Sequence, residues 1–144
     1  MRIERLSEND LVSLSEIFHQ IWGEISSLEK MKSTFSRLKA NPAYFLLAAK
    51  QDNELVGFAM GVICEELYGE CKPFMVVEDV IVDQRQRQKG VGSALMRELE
   101  KYAKDCECCQ IIFVTESNRK DALGFYNALG YEYEPYKGFK KIIK

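Results

Sequence analysis

The run FMVVEDVIVD, residues 74–83, constrains the fold of this chain more than any other stretch. Apart from its acids it is apolar and β-branched, the composition of a strand buried on both faces of a sheet. Glu78 and Asp79 nevertheless stand side by side in its middle. Side chains alternate across a strand, so two neighbours cannot both reach one solvent face. One of them must face inward or into a cleft, and an unpaired buried carboxylate is costly. Unless a bulge intervenes, the two point to opposite faces.

The rest of the chain supplies elements to cover such a strand. RIERL reads as a short first strand, followed by Ser7 as an N-cap with Asp10 in the first turn. Leu11, Leu14, Phe18, Ile21 and Trp22 then recur at helical spacing, and Leu28, Met31, Phe35 and Leu38 mark a second helix that stops before Pro42. AYFLLAAK and LVGFAMGVIC, joined by QDNE, predict an antiparallel hairpin. After the central strand, GVGSALMRELEKYAK predicts a helix and CQIIFVTE a buried strand. RKDALGFYNALG reads as a last helix with Ala122, Phe125 and Leu129 inward and Gly130 as its stop, and YEYEP with FKKII as a closing hairpin. The order β-α-α-β-β-β-α-β-α-β-β predicts an α/β domain with a mixed central sheet of about seven strands and about four helices. No linker or repeat divides the 144 residues, so residues 1–144 are expected to form one domain.

Formal net charge is −2 with both signs interspersed, which gives no basic surface for nucleic acid and no polybasic membrane anchor. No apolar run approaches the length of a membrane span and MRIERLSEND has no apolar leader core, so a cytoplasmic location is expected. Cys106 and Cys109 have CxxC spacing, but the single histidine, His19, lies far away and no second cysteine pair completes a zinc set. No metal is expected, and the cysteines read as reduced, structural thiols.

DQRQRQKGVGSAL joins the central strand to the third helix. Two glycines at a helix N-terminus let backbone approach a ligand and leave amides free for an anion, with Arg85, Arg87 and Lys89 adding charge. A Walker loop is absent, and GVGSAL lacks the third small residue of a dinucleotide fingerprint. The segment Arg87-Gln88-Lys89-Gly90-Val91-Gly92, five residues after Val82, resembles the acetyl-CoA signature of the GNAT superfamily of N-acetyltransferases. DALGFYNALGY, residues 121–131, resembles that family's second hallmark, a helix carrying a Phe-Tyr pair and ending in Leu-Gly-aromatic. The element order fits the GNAT fold along essentially the whole chain.

The resemblance implies a ternary complex of acetyl-CoA and a small amine, with direct attack on the thioester and no acyl-enzyme. It assigns the pyrophosphate to amides of Arg87, Gln88, Lys89, Gly90, Val91, Gly92 and Ser93, and the pantetheine arm to the backbone of Val80, Ile81 and Val82. Asn118, eight residues before Tyr126, stands one residue further from it than the family's coenzyme-contacting Asn. Tyr126 is the implied donor of a proton to the leaving thiolate. The Glu-Asp pair resembles that of amine-acetylating members, where it lines the acceptor site. Glu78 is expected to accept the ammonium proton through water and Asp79 to bind or orient the amine. Trp22, Glu24, Glu65, Glu66, Tyr68 and Tyr133 are weaker acceptor-site candidates. A polyamine, amino sugar or aminoglycoside-like acceptor is expected, and a homodimer through the closing strands is compatible. A silent acyl-CoA-binding or sensing domain and a protein or peptide N-acetyltransferase remain alternatives.

Overall fold

The structure, a computed structural model, describes residues 1–143. Contacts divide the chain into two compact units, Met1–Ile112 and Phe113–Lys144. The first contains β1 (Arg2–Arg5), α1 (Leu11–Trp22), α2 (Leu28–Ala40), β2 (Tyr44–Gln51), β3 (Glu54–Cys64), β4 (Phe74–Val82), α3 (Val91–Asp105) and β5 (Ile111–Ile112). The strands hydrogen-bond in chain order, antiparallel from β1 to β4 and parallel between β4 and β5, so the sheet is mixed.

Local chemistry sets these elements. The buried Asp10 carboxylate accepts from the Ser7 backbone N–H at 2.9 Å and takes an ion pair from Lys50 at 2.7 Å. Ser27 caps α2 by accepting from the Lys30 N–H at 3.3 Å, and Asn41, just before Pro42, is already extended. Asp52 and Asn53 turn β2 into β3 with φ of 52° and 67°, a left-handed pair that short polar side chains tolerate.

Helices cover both faces of the sheet. On one face Leu11, Leu14 and Ile17 of α1 and Phe35 of α2 pack with Leu46, Ala48, Phe58 and Ile81. On the other, α3 buries Leu95, Met96 and Leu99 completely, each side chain contributing roughly 1.5–3 kcal/mol. Its close approach depends on two β3 glycines. A Cβ at Gly57 would lie 2.8 Å from Val91 Cγ1, and one at Gly61 would lie 3.0 Å from both Leu99 Cδ2 and Met75 Sδ.

The second unit contains α4 (Lys120–Ala128), which ends as its sequence predicts. Gly130 adopts φ of 94°, its N–H reaches the Asn127 carbonyl at 3.0 Å, and the Tyr131 N–H reaches the Tyr126 carbonyl at 3.1 Å.

The strand count differs from the expectation: among the described residues five strands form rather than about seven. The run CQIIFVTE forms a strand only over Ile111–Ile112, and Ile112 is exposed rather than buried. The closing hairpin expected from YEYEP and FKKII does not form, since residues 131–143 contain neither helix nor strand. Tyr133, Tyr136, Phe139, Ile142 and Ile143 are exposed. An apolar or alternating run fits a pleated surface, but a ladder also needs a partner in register, which composition does not specify.

Candidate active site

The Glu78–Asp79 pair lies on a β-bulge. Met60 of β3 is paired with Glu78 and Phe58 with Ile81, so Asp79 and Val80 together oppose Ala59. Asp79 sits at φ of 58°, a left-handed conformation that the short polar side chain of Asp tolerates better than most. The extra residue reverses the strand's facing. Met75 and Val77 are on the α3 side, beside Gly61, whereas Ile81 enters the α1–α2 core. Glu78, paired with a methionine packed against the α1–α2 core, is exposed, and Asp79 is half-buried. Burial pushes the Asp79 carboxyl above its usual range, and the neighbouring Glu78 carboxylate pushes it further.

Pairing of β4 with β5 covers only Met75–Ile111 and Val76–Ile112. From Val77 to Val82 this edge of β4 carries no paired strand among the described residues. The Ile81 side chain is buried in the core, so only its backbone is available to a ligand, while Val80 and Val82 are half-buried.

At the end of β4 the buried Asp83 ties the chain down. Its N–H donates to the Val56 carbonyl at 2.8 Å, and its carboxylate receives Arg85 through Nε at 3.2 Å and a terminal nitrogen at 2.8 Å. These bonds hold the Asp83 carboxyl below its usual range. Arg85, expected to charge an anion site, is thus committed to Asp83, and Lys89 lies 3.4 Å from the Gln86 side chain. Arg87 is exposed and makes no ion pair among the described residues. Gln88 and Gly90 take φ of 62° and 83°, and Gly90 caps α3 with no side-chain hydrogen bond to its first amides. The N–H groups opening α3, at Val91, Gly92 and Ser93, are therefore open to an acceptor. Val91 can serve only through its backbone, because its side chain is buried beside Gly57.

The structure thus brings Glu78, Asp79, Val80, Ile81, Val82 and the loop from Arg87 to Ser93 onto one continuous strand–loop–helix segment. Asn118 and Tyr126 belong to the second unit. Asn118 is exposed in the turn before α4. Tyr126 is half-buried among aromatic rings, 4.5 Å from Phe113 and 5.0 Å from Phe125 between centroids. Burial pushes its phenol above the usual range, partly offset by Arg119. Of the weaker candidates, Trp22 stacks on Phe18 at 5.3 Å and is half exposed, and Tyr68 and Tyr133 are exposed. Sequence reasoning missed the Asp83–Arg85 clamp, although an acid two residues before an arginine at a strand end was its visible signal.

Residues 11–131 match the model of the acetyltransferase (GNAT) family. The uncharacterized protein YdhI of Bacillus subtilis (strain 168) is 31% identical over 85 residues, covering 56% of this chain and 52% of its own. A Drosophila melanogaster protein named "probable glucosamine 6-phosphate N-acetyltransferase" is 27% identical over 139 residues, covering 91% of this chain and 60% of its own. The chain spans only 52% and 60% of the lengths of these two curated relatives. The crystal structure of glucosamine-6-phosphate N-acetyltransferase from Arabidopsis thaliana superposes with a TM-score of 0.86 at 19% identity, over 99% of this chain and 98% of that one. The mixed sheet, with four helices among the described residues, is therefore the fold of that acetyltransferase.

Proposed function

Because the chain belongs to the acetyltransferase (GNAT) family, we propose that it is an acetyl-CoA-dependent N-acetyltransferase acting on a primary amine of a small molecule. The acetyl group passes directly from the CoA thioester to the amine in a ternary complex. The observation that carries this reading is the junction of β4 and α3, where a bulged strand bearing two carboxylates runs into uncapped helix amides.

The residues fit the coenzyme in kind. Open amides from Val91 to Ser93, the left-handed turn at Gln88 and the exposed Arg87 suit a pyrophosphate. The unpaired β4 edge at Val80, Ile81 and Val82 offers its backbone to the amides of the pantetheine arm, as a sheet edge accepts an added strand. Glu78, exposed to solvent, takes the ammonium proton through water, because an alkylamine is mostly protonated at neutral pH. Asp79 orients the amine. A backbone N–H freed at the bulge steadies negative charge on the thioester oxygen. Tyr126, whose burial keeps the phenol protonated, supplies the proton to the departing thiolate, and Asn118 assists coenzyme binding. Residues 1–144 act as one catalytic domain in the cytoplasm, without a metal, nucleic acid or membrane.

A polyamine, amino sugar or aminoglycoside-like acceptor suits two carboxylates at the bulge, and the Drosophila relative's name points to an amino sugar. The test is release of CoA thiol from acetyl-CoA against polyamines, amino sugars, aminoglycosides, amino acids and peptides. Turnover confined to one small-amine class is expected. Turnover of peptides alone would make the chain a peptide N-acetyltransferase, and binding without turnover of any amine would make it an acyl-CoA sensor.

A further inference from the structure

All five cysteines are free, and three of them, Cys71, Cys108 and Cys109, line one cavity of about 480 Å³. Two separate segments bring them there: the exposed loop between β3 and β4, and the turn that follows α3. The Cys109 N–H donates to the Pro73 carbonyl at 2.9 Å, fixing one segment against the other. Cys71, two residues before that proline, is held at φ of 57° by its N–H to the Tyr68 carbonyl at 3.0 Å. Two residue steps span at most roughly 7 Å, so Cys71 and Cys109 flank a common backbone contact.

These thiols differ in exposure. Structural cysteines are buried and inert, which fits Cys108: it is half-buried, and burial followed by its neighbouring thiols pushes its thiol above the usual range. Cys71 and Cys109 are exposed and contribute nothing to the core. Among the described residues no three His, Cys, Asp or Glu side chains are placed to hold a metal ion. Lys72 and Lys104 stand on the cavity wall with Glu70 and Glu107, and Lys72 lies 3.9 Å from Glu70. Charges of both signs suit a peptide-like disulfide, which carries ammonium and carboxylate groups together.

We propose that Cys71 and Cys109 form a thiol–disulfide exchange site whose oxidant is a small peptide disulfide such as oxidised glutathione. The thiolate of one cysteine attacks a sulfur of the oxidant, forming a mixed disulfide and releasing one small thiolate. The second cysteine, after losing its proton, attacks the protein-bound sulfur and releases the other. Two protein thiols are oxidised to one disulfide, and the oxidant is reduced to two thiols. The site lies at the start of β4, while the bulge begins five residues beyond Phe74, roughly 17 Å along the strand. It is therefore a modification site apart from the proposed acetyl-transfer segment.

The test is non-reducing peptide mapping by mass spectrometry after incubating the whole chain with oxidised glutathione. A Cys71–Cys109 disulfide with no retained glutathione is expected. Cys71→Ser and Cys109→Ser should each trap a mixed disulfide on the remaining partner, whereas Cys108→Ser should still cross-link. A glutathione adduct that persists on the unaltered chain, a cross-link that uses Cys106 or Cys108 instead, or Cys71 and Cys109 left as free thiols would each overturn the proposal.

Discussion

Glu78 and Asp79 are adjacent in sequence but occupy different surroundings, and their consequences separate by measurement. Glu78 is exposed and free to exchange protons with water, so its proposed work is on the rate. Glu78→Gln is expected to lower turnover by about 10²–10⁴-fold, and Tyr126→Phe by about 10–10⁴-fold, each with acetyl-CoA affinity nearly unchanged. Steady-state kinetics beside a binding isotherm checks both, and an unaltered rate removes the residue concerned from the mechanism. Asp79 carries a burial penalty, and its folded carboxyl titrates above the ordinary aspartate range. Between the ordinary and the raised value the folded chain holds a proton that the unfolded chain has lost. Stability from this group is therefore full below the ordinary value and is lost as pH rises through the raised one. Asp79→Asn, which also tolerates the left-handed backbone, should flatten that part of the melting-temperature curve and melt higher than the unaltered chain above the window. Parallel curves would show that burial does not penalise this carboxylate.

Elements depend on how strands and helices meet, and there the sequence was legible unevenly. The glycine loop, the start of α3 and the Gly130 stop could be read because each rests on local backbone chemistry. The helices could be read from period, although Trp22, placed on the apolar face of α1, is half exposed. The bulge could be posed as a question but not located, because register belongs to a pair of strands, and no single-strand pattern records that Asp79 and Val80 share Ala59. The same limit explains the missing hairpin at residues 131–143. Gly57 shows the element scale most sharply. It reads as an unremarkable strand glycine, yet it admits the first residue of α3 against the sheet, with Val91 Cγ1 2.8 Å and the Ile81 carbonyl 3.1 Å from where a Cβ would stand. Gly57→Ala should cost roughly 1–3 kcal/mol by overpacking. Because Val91 opens α3 beside the proposed pyrophosphate amides, acetyl-CoA affinity should fall together with stability. Denaturant titration and ligand titration of the same variant check this, and lost stability with intact affinity would show that the helix start adjusts without moving its amides.

Taken whole, the molecule carries a formal charge of only −2, so no broad electrostatic field gathers an anionic coenzyme. On the proposed reading, affinity comes from the local arrangement of open helix amides, the exposed Arg87 guanidinium and a β4 edge that is unpaired among the described residues. Binding of that kind acts on the folded state alone, because the unfolded chain has neither a helix N-terminus nor a sheet edge. Acetyl-CoA at about 100 times its Kd should therefore stabilise by about 2.7 kcal/mol. For a chain of this size, that corresponds to a rise in melting temperature of roughly 5–10 °C. The rise should persist in Glu78→Gln, which leaves the coenzyme segment untouched. It should shrink in Arg87→Glu, which places a carboxylate where the pyrophosphate is proposed to lie, and that loss should exceed any change in the unliganded melt. If Arg87→Glu kept the full rise, the pyrophosphate would have to be held elsewhere on the chain, and the loop between β4 and α3 would be only a tight turn.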